Sequence, residues 1–180
     1  MTNVFRGLAV VVLMLALTSC AVLIPKEHLI PKEKLVSTMH KQFPFHMEKA
    51  GGLFSITVDQ PQLLFYPSQS RMGLNARFVA HAALFDIDGD FASSSMLRYD
   101  PKQRAVFLQD AKLDSFRIKQ QGNRFTEMLR MEISRVLRDY AVNHPVYRFK
   151  PDELVALGMK IEVGNIAVSP EGVVLQLRPL

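Results

Sequence analysis

The 180-residue chain contains one cysteine, Cys20. A lone thiol cannot form an intrachain disulfide framework, so the fold must rest on a buried core. Internal repeats and low-complexity tracts are absent, which sets aside solenoid and fibrous architectures. Charge is also sparse in pattern. The formal net charge is +5, but Lys and Arg are scattered among Asp and Glu, and no basic stripe is interleaved with aromatics. That distribution argues against nucleic acid as a partner. The five histidines (28, 40, 46, 81 and 144) form no HExxH and no close pair, so no metal site is expected. Ser93, Ser94 and Ser95 lack a GxSxG setting. With no triad and no paired carboxylates in a recognisable arrangement, an enzyme is not expected, and neither is a cofactor.

What is present begins with the N-terminus. Asn3 to Arg6 is a short segment with one positive charge, and Gly7 to Leu17 is an uncharged apolar run, the layout of a secretory signal. Leu17, Thr18 and Ser19 before Cys20 resemble the lipobox of bacterial lipoproteins. The resemblance implies cleavage before Cys20, a diacylglycerol on its sulfur and a further acyl chain, such as palmitate, on the new amine. Residues 1–19 are then a removed signal peptide, 20–31 an acylated tether and 32–180 a single lipid-binding-like domain. Ala21 after the cysteine implies delivery to the outer membrane of a bacterial envelope, with the domain facing the periplasm. An uncleaved anchor stays open, because Gly7 to Ile24 is nearly as long as the ~20 apolar residues that span a bilayer.

Losing Arg6 with the leader leaves 21 basic against 17 acidic side chains. That mild excess suits anionic headgroups. The mature length buries close to ~70% of its unfolded surface without crosslinks.

Along the mature chain, Pro31 opens "PKEKLVSTMHKQFP", where Leu35, Met39 and Phe43 recur at helical spacing. In "LFSITVDQPQLLFY", Phe54, Ile56 and Val58 share one strand face, and Pro61 breaks or bulges it. From Leu74 the even positions Leu74, Ala76, Phe78, Ala80, Ala82 and Leu84 alternate with Asn75, Arg77, Val79 and His81, predicting a strand of about 14 residues. Asp88 and Gly89 then fit a tight hairpin turn, and "DFASSSMLRYD" returns antiparallel. Ala105 to Ile118 reads as the next long strand.

The period changes to 3.6 from Arg124 to about Val142. Phe125, Met128, Leu129, Ile133, Val136, Leu137 and Tyr140 lie on one face, and Pro145 ends the helix. Pro151 to Leu157 suggests a short helical turn, and "SPEG" a closing hairpin that leaves the last strand at a sheet edge.

A helix of this length is about 28 Å long, whereas a 14-residue strand runs about 45 Å. One helix can cover such strands only if the sheet curls around it. The expected fold class is therefore α+β: a curved antiparallel sheet wrapped around one long helix in the C-terminal half, plus a short N-terminal helix. Ala76, Ala80 and Ala82 allow either close approach of the helix or a cavity.

"RYDPKQRAVFLQDAKL", the helix running into "NHPVYRF", and "GMKIEVGNIAV" resemble the YceB-like family of small bacterial lipoproteins over residues 29 to 168. That family is similar to the tubular lipid-binding (TULIP) proteins, which implies an elongated apolar groove beside the helix. It implies a ligand class but no reaction.

The groove lining expected on this basis is Phe78, Leu84, Phe125, Met128, Leu129, Ile133, Val136 and Leu137, with Cys20 as the lipidation site. The same helix stripe would equally serve an ordinary core. Seven methionines in the mature chain lean toward a pliable apolar site.

Glu132 falls inside the stripe and is expected to pair with Arg135 or to meet a ligand headgroup. Asp86, Asp88 and Asp90 lack the spacing of an EF-hand loop. The expected function is a membrane-anchored, monomeric module that binds an apolar ligand or phospholipid. A ligand-free scaffold for envelope complexes is the alternative.

Overall fold

The long strands expected from the period of two are present in a computed structural model of the chain, which describes residues 27–49, 54–82, 85–119, 126–156 and 159–179. In chain order the elements are β1 (Glu27–Pro31), α1 (Lys32–His40), β2 (Phe45–Lys49), β3 (Phe54–Tyr66), a 3-10 turn (Pro67–Gln69), β4 (Arg71–Ala82), β5 (Phe85–Asp100) and β6 (Ala105–Ile118). There follow α2 (Thr126–Asn143), β7 (Pro145–Arg148), a second 3-10 turn (Pro151–Leu154), β8 (Val155–Ala156), β9 (Met159–Ser169) and β10 (Gly172–Pro179). Two antiparallel sheets result, one ordered β2-β3-β4-β5-β6-β7 and the other β1-β10-β9-β8. The predicted signal peptide, Cys20, Leu84 and Phe125 lie outside the described residues.

Local chemistry explains most element bounds. The "SPEG" turn joins β9 to β10 through the pair Ser169–Gly172. Gly172 has φ +146°, and a Cβ there would lie 2.1 Å from the Ile30 carbonyl oxygen. Glycine is needed at that point because β1 packs its backbone against the turn. Pro61 produces a bulge rather than a break: the β3–β4 register shifts between Asp59 and Gln62, with Gln60 at φ +50°. Further register shifts interrupt β5–β6 after Ala92 and after Ser94. Bulges of this kind bend strands and increase their twist.

Two sequence expectations need correction. Asp88 and Gly89 are not a turn; they sit inside β5, where Gly89 pairs with Phe78 on one side and Ile118 on the other. A Cβ on Gly89 would lie 2.4 Å from the Phe78 ring and 2.4 Å from the Arg117 carbonyl oxygen, so this glycine makes room for a neighbouring phenyl ring. The chain instead reverses after Ala82, which pairs with Phe85. Nor does β10 close the chain at an edge, because β1 covers it through five pairs from Glu27–Gln176 to Pro31–Gly172.

The expected fold class is also overturned. The protein is mostly β, and among the described residues no long helix is wrapped by the sheet. α2 buries only one face, through Leu129, Ile133, Val136, Leu137 and Ala141, while Met131 and Val142 are each 64% exposed.

The mismatch between strand and helix lengths is resolved by a second cover. One end of the large sheet packs on α2, in a core that includes Ile56, Phe78, Ile87 and Phe91. The other end packs on the small sheet and α1, in a core that includes Ile30, Leu35, Val106, Val173 and Leu175. Ala76 and Ala80 share the first core with Leu129 and Ile133.

Candidate functional site

The seam between the two cores is where packing is incomplete. α1 presents Leu35 and Met39 on one side, with Phe43 just beyond its end, and α2 presents Leu137 and Tyr140 on the other. The floor is the inner face of the large sheet, where Ser93, Ser95 and Ala111 stand in place of larger groups. Small floor residues under two diverging covers leave an apolar cavity of about 40 Å³, inside an indentation whose empty space, mouth included, is about 600 Å³. A second apolar cavity of about 20 Å³ adjoins it, bounded by Phe45, Phe91, Ile133 and Val136, and it shares Phe43, Leu74, Leu137 and Tyr140 with the first. Forty cubic ångströms holds a few water-sized spheres and no more.

Four polar side chains around this slot bond within the protein. Tyr140 donates its hydroxyl to Gln42 Oε1, and Gln42 Nε2 donates to the Pro145 carbonyl at 3.4 Å. Thr38 Oγ1 donates back to the Lys34 carbonyl at 2.8 Å, and Ser93 Oγ donates to the Leu74 carbonyl at 3.4 Å. The Tyr140 ring stacks on His144 with centroids 4.6 Å apart, and Phe45 meets it edge-on at 5.5 Å. Burial pushes the Tyr140 phenol up to about 12. The slot is therefore an apolar space closed at one end by an aromatic cluster, with no ionised group in its lining.

α1 is held at both ends. Near its start, Lys34 Nζ donates to the Tyr147 hydroxyl at 2.6 Å, and that hydroxyl donates to Glu153 Oε1 at 2.9 Å. Beyond its end, Gln42 makes the contact to Tyr140. Between these ties only Leu35 and Met39 of the helix are buried.

Of the expected lining residues, Leu137 borders both cavities, and Ile133 and Val136 border the smaller one. Phe78 and Leu129 are fully buried and border neither, so they serve packing. Met128 is 38% exposed and borders neither cavity. The sequence reading missed the α1 wall, Met72 and the two floor serines. A run of three serines inside a predicted strand was the available signal, since small side chains on an otherwise large-residue face leave space.

Glu132 pairs with Arg135 at 3.4 Å, as its spacing suggested. Asp88 is held by Arg77 at 2.6 Å, which keeps its carboxyl below the usual range, and Asp86 meets His81 Nδ1 at 2.6 Å. Among the described residues, no group of three or more His, Cys, Asp or Glu side chains is disposed to hold a metal ion, and no helix is long and apolar enough to cross a membrane.

Fold and site together define a two-sheet antiparallel β protein with an apolar slot at the seam of its cores. The chain belongs to the family described as "Protein of unknown function (DUF1439)", whose model matches residues 30–171. The match runs from the last residues of β1 to the β9–β10 turn and so includes every residue of the slot. No curated protein matches the chain.

Proposed function

We propose that this is a lipid-anchored protein of the bacterial envelope, facing the periplasm, that binds one apolar chain of a lipid in the slot beneath α1. It acts as a binding module and not as an enzyme. The observation that carries this reading is the slot itself, an apolar space floored by small side chains and bounded by the adaptable thioethers of Met39 and Met72. The leader and lipobox-like "LTSC" support the anchor at Cys20. The likeness to YceB-like lipoproteins, and through them to TULIP proteins, supports the ligand class and not the wrapped-helix architecture.

The cavity is too small for an acyl chain as it stands, so binding requires α1 to move outward. The Gln42–Tyr140 contact is the tie that must open, because it joins the end of α1 to α2 beside the slot.

Native mass spectrometry of a Cys20→Ser form, which cannot carry the anchor lipid, tests the proposal. A bound lipid in the wild-type slot, lost in Ala111→Phe at unchanged fold, is the expected result. Ligand-free protein that also fails to bind a fluorescent fatty acid would falsify it. Exposed Met131 and Val142 on α2 favour a scaffolding role as the second reading. In-cell crosslinking from position 131 that captures one stoichiometric protein partner would support that role instead.

A further inference from the structure

We propose that the outer face of the large sheet carries a second site, one that binds an acidic sugar. It lies on the opposite face from the apolar slot and is independent of it. A groove of about 330 Å³ opens there, bordered by Gln60, Gln62, Asn75, Arg77, Asp90 and Arg117. Its volume falls within the ~300–1,000 Å³ of small-molecule sites, whereas the apolar cavity does not.

Strand register builds the charge pattern. Asp59 pairs with Arg77, Arg77 with Asp90, and Asp90 with Arg117, so one row across four strands alternates in sign. The next row along carries Gln62, Asn75, Ala92 and Ser115, with the small Ala92 as its lowest point.

Three observations indicate that the groove awaits a ligand. Arg77 Nε is buried and has no hydrogen-bond partner, although a buried unsatisfied donor ordinarily costs about 1–3 kcal/mol. Unlike Arg77, which also binds Asp88, the Arg117 guanidinium and the Gln60, Gln62 and Asn75 carboxamides make no side-chain hydrogen bond among the described residues. Finally, Gln60 adopts φ +50° in the β3 bulge, a conformation that non-glycine residues hold at a cost and that concentrates at functional sites. That bulge lies just past Val58, the last residue of β3 that β2 covers.

These groups specify the ligand. Arg77 already holds Asp88 at 2.6 Å through Nη2, so the Arg117 guanidinium is the one left to meet a ligand carboxylate, and guanidinium–carboxylate bonds are among the stronger hydrogen bonds. Three carboxamides offer donors and acceptors together, as the hydroxyls of a sugar do. The Phe91 side chain is buried in the inner core, so no aromatic face is available to stack a nucleobase. An acidic sugar meets both requirements, whether free in an oligosaccharide or carried on a glycolipid.

Ligand-observed NMR titration of the full-length protein in detergent, with sodium glucuronate as the probe and glucose and acetate as controls, tests this. Glucuronate is expected to bind at least tenfold more tightly than either control. Arg117→Met should weaken it at least tenfold without moving the unfolding midpoint, because that side chain has no partner to lose. Asn75→Leu should weaken glucuronate while leaving acetate unchanged. Displacement by a soluble acidic oligosaccharide or by vesicles containing an acidic glycolipid supports the site in either case and separates the two sources. No binding at about 50 mM glucuronate, equal binding of acetate, or an Arg117→Met form that binds as wild type overturns the proposal.

Discussion

The end of the large sheet under α2 and the end under the small sheet are built from different materials. Under the helix, Phe78 stacks on Phe116 at 5.2 Å and lies 6.5 Å from Phe91, with the small Ala76 and Ala80 in the same core. Under the small sheet, mainly branched aliphatics (Ile30, Val106, Val173, Leu175) face one another, and Tyr147 and Phe149 meet edge-on at 4.9 Å. The first core is fitted around rings and the second around interlocking branched side chains. Where the two packing modes meet, neither fills the space, and the slot is what remains. A cavity can thus arise from the juncture of two well-packed regions, without a loose core anywhere.

Phe78→Ala is the strongest way to test whether the two ends are energetically separate. It should cost about 3–5 kcal/mol, and Leu175→Ala about 2–5 kcal/mol. If the ends form one cooperative unit, urea unfolding followed by circular dichroism shows a single transition in both variants. A second transition in either variant would show that each core opens by itself.

A smaller effect is expected at Gly172, where alanine must accept φ +146° and crowd the Ile30 carbonyl. A loss of about 1–3 kcal/mol should follow. Amide exchange should rise in β1 and β10 before it rises under α2, and the reverse order would break the contrast drawn here.

The smallest effect belongs to the seam. Tyr140→Phe removes one hydrogen bond, worth about 1 kcal/mol, and also changes the alkaline limb of stability. In the unfolded chain this phenol titrates at its ordinary 10.0, and in the folded protein at about 12. Its contribution is intact below pH 10 and is lost as pH rises toward 12, because the unfolded state gives up its proton first. The Phe form should therefore show a shallower decline of unfolding midpoint between those values. An identical decline would mean that the phenol is solvated.

Elements set by local pattern were legible in the sequence. β6 was read from Ala105 to Ile118 as found, α2 within two residues at its start, and the "SPEG" hairpin from its turn chemistry. What failed depended on neighbours distant in the chain. Gly89 looked like half of a turn, but its cause is a phenyl ring eleven positions earlier that needs the space of a missing side chain. The small sheet joins Ile30 to Val173, a pairing no local period reveals, and without it one helix seemed obliged to cover everything. The slot was half legible: Leu137 came from the helix stripe, whereas its opposite wall lies about a hundred positions away in α1.

The clasp between β1 and β10 governs how this corner responds to load. The two strands run in opposite directions, so Glu27 sits beside Gln176 and the closed turn lies at the far end by Pro31. Tension that separates Glu27 from the end of β10 acts on the Glu27–Gln176 rung first and reaches the Pro31–Gly172 rung last. The clasp opens as a zipper does, in five small steps, so a steady pull on the chain before Glu27 frees the exposed end of β1 before it draws Ile30 out of the core.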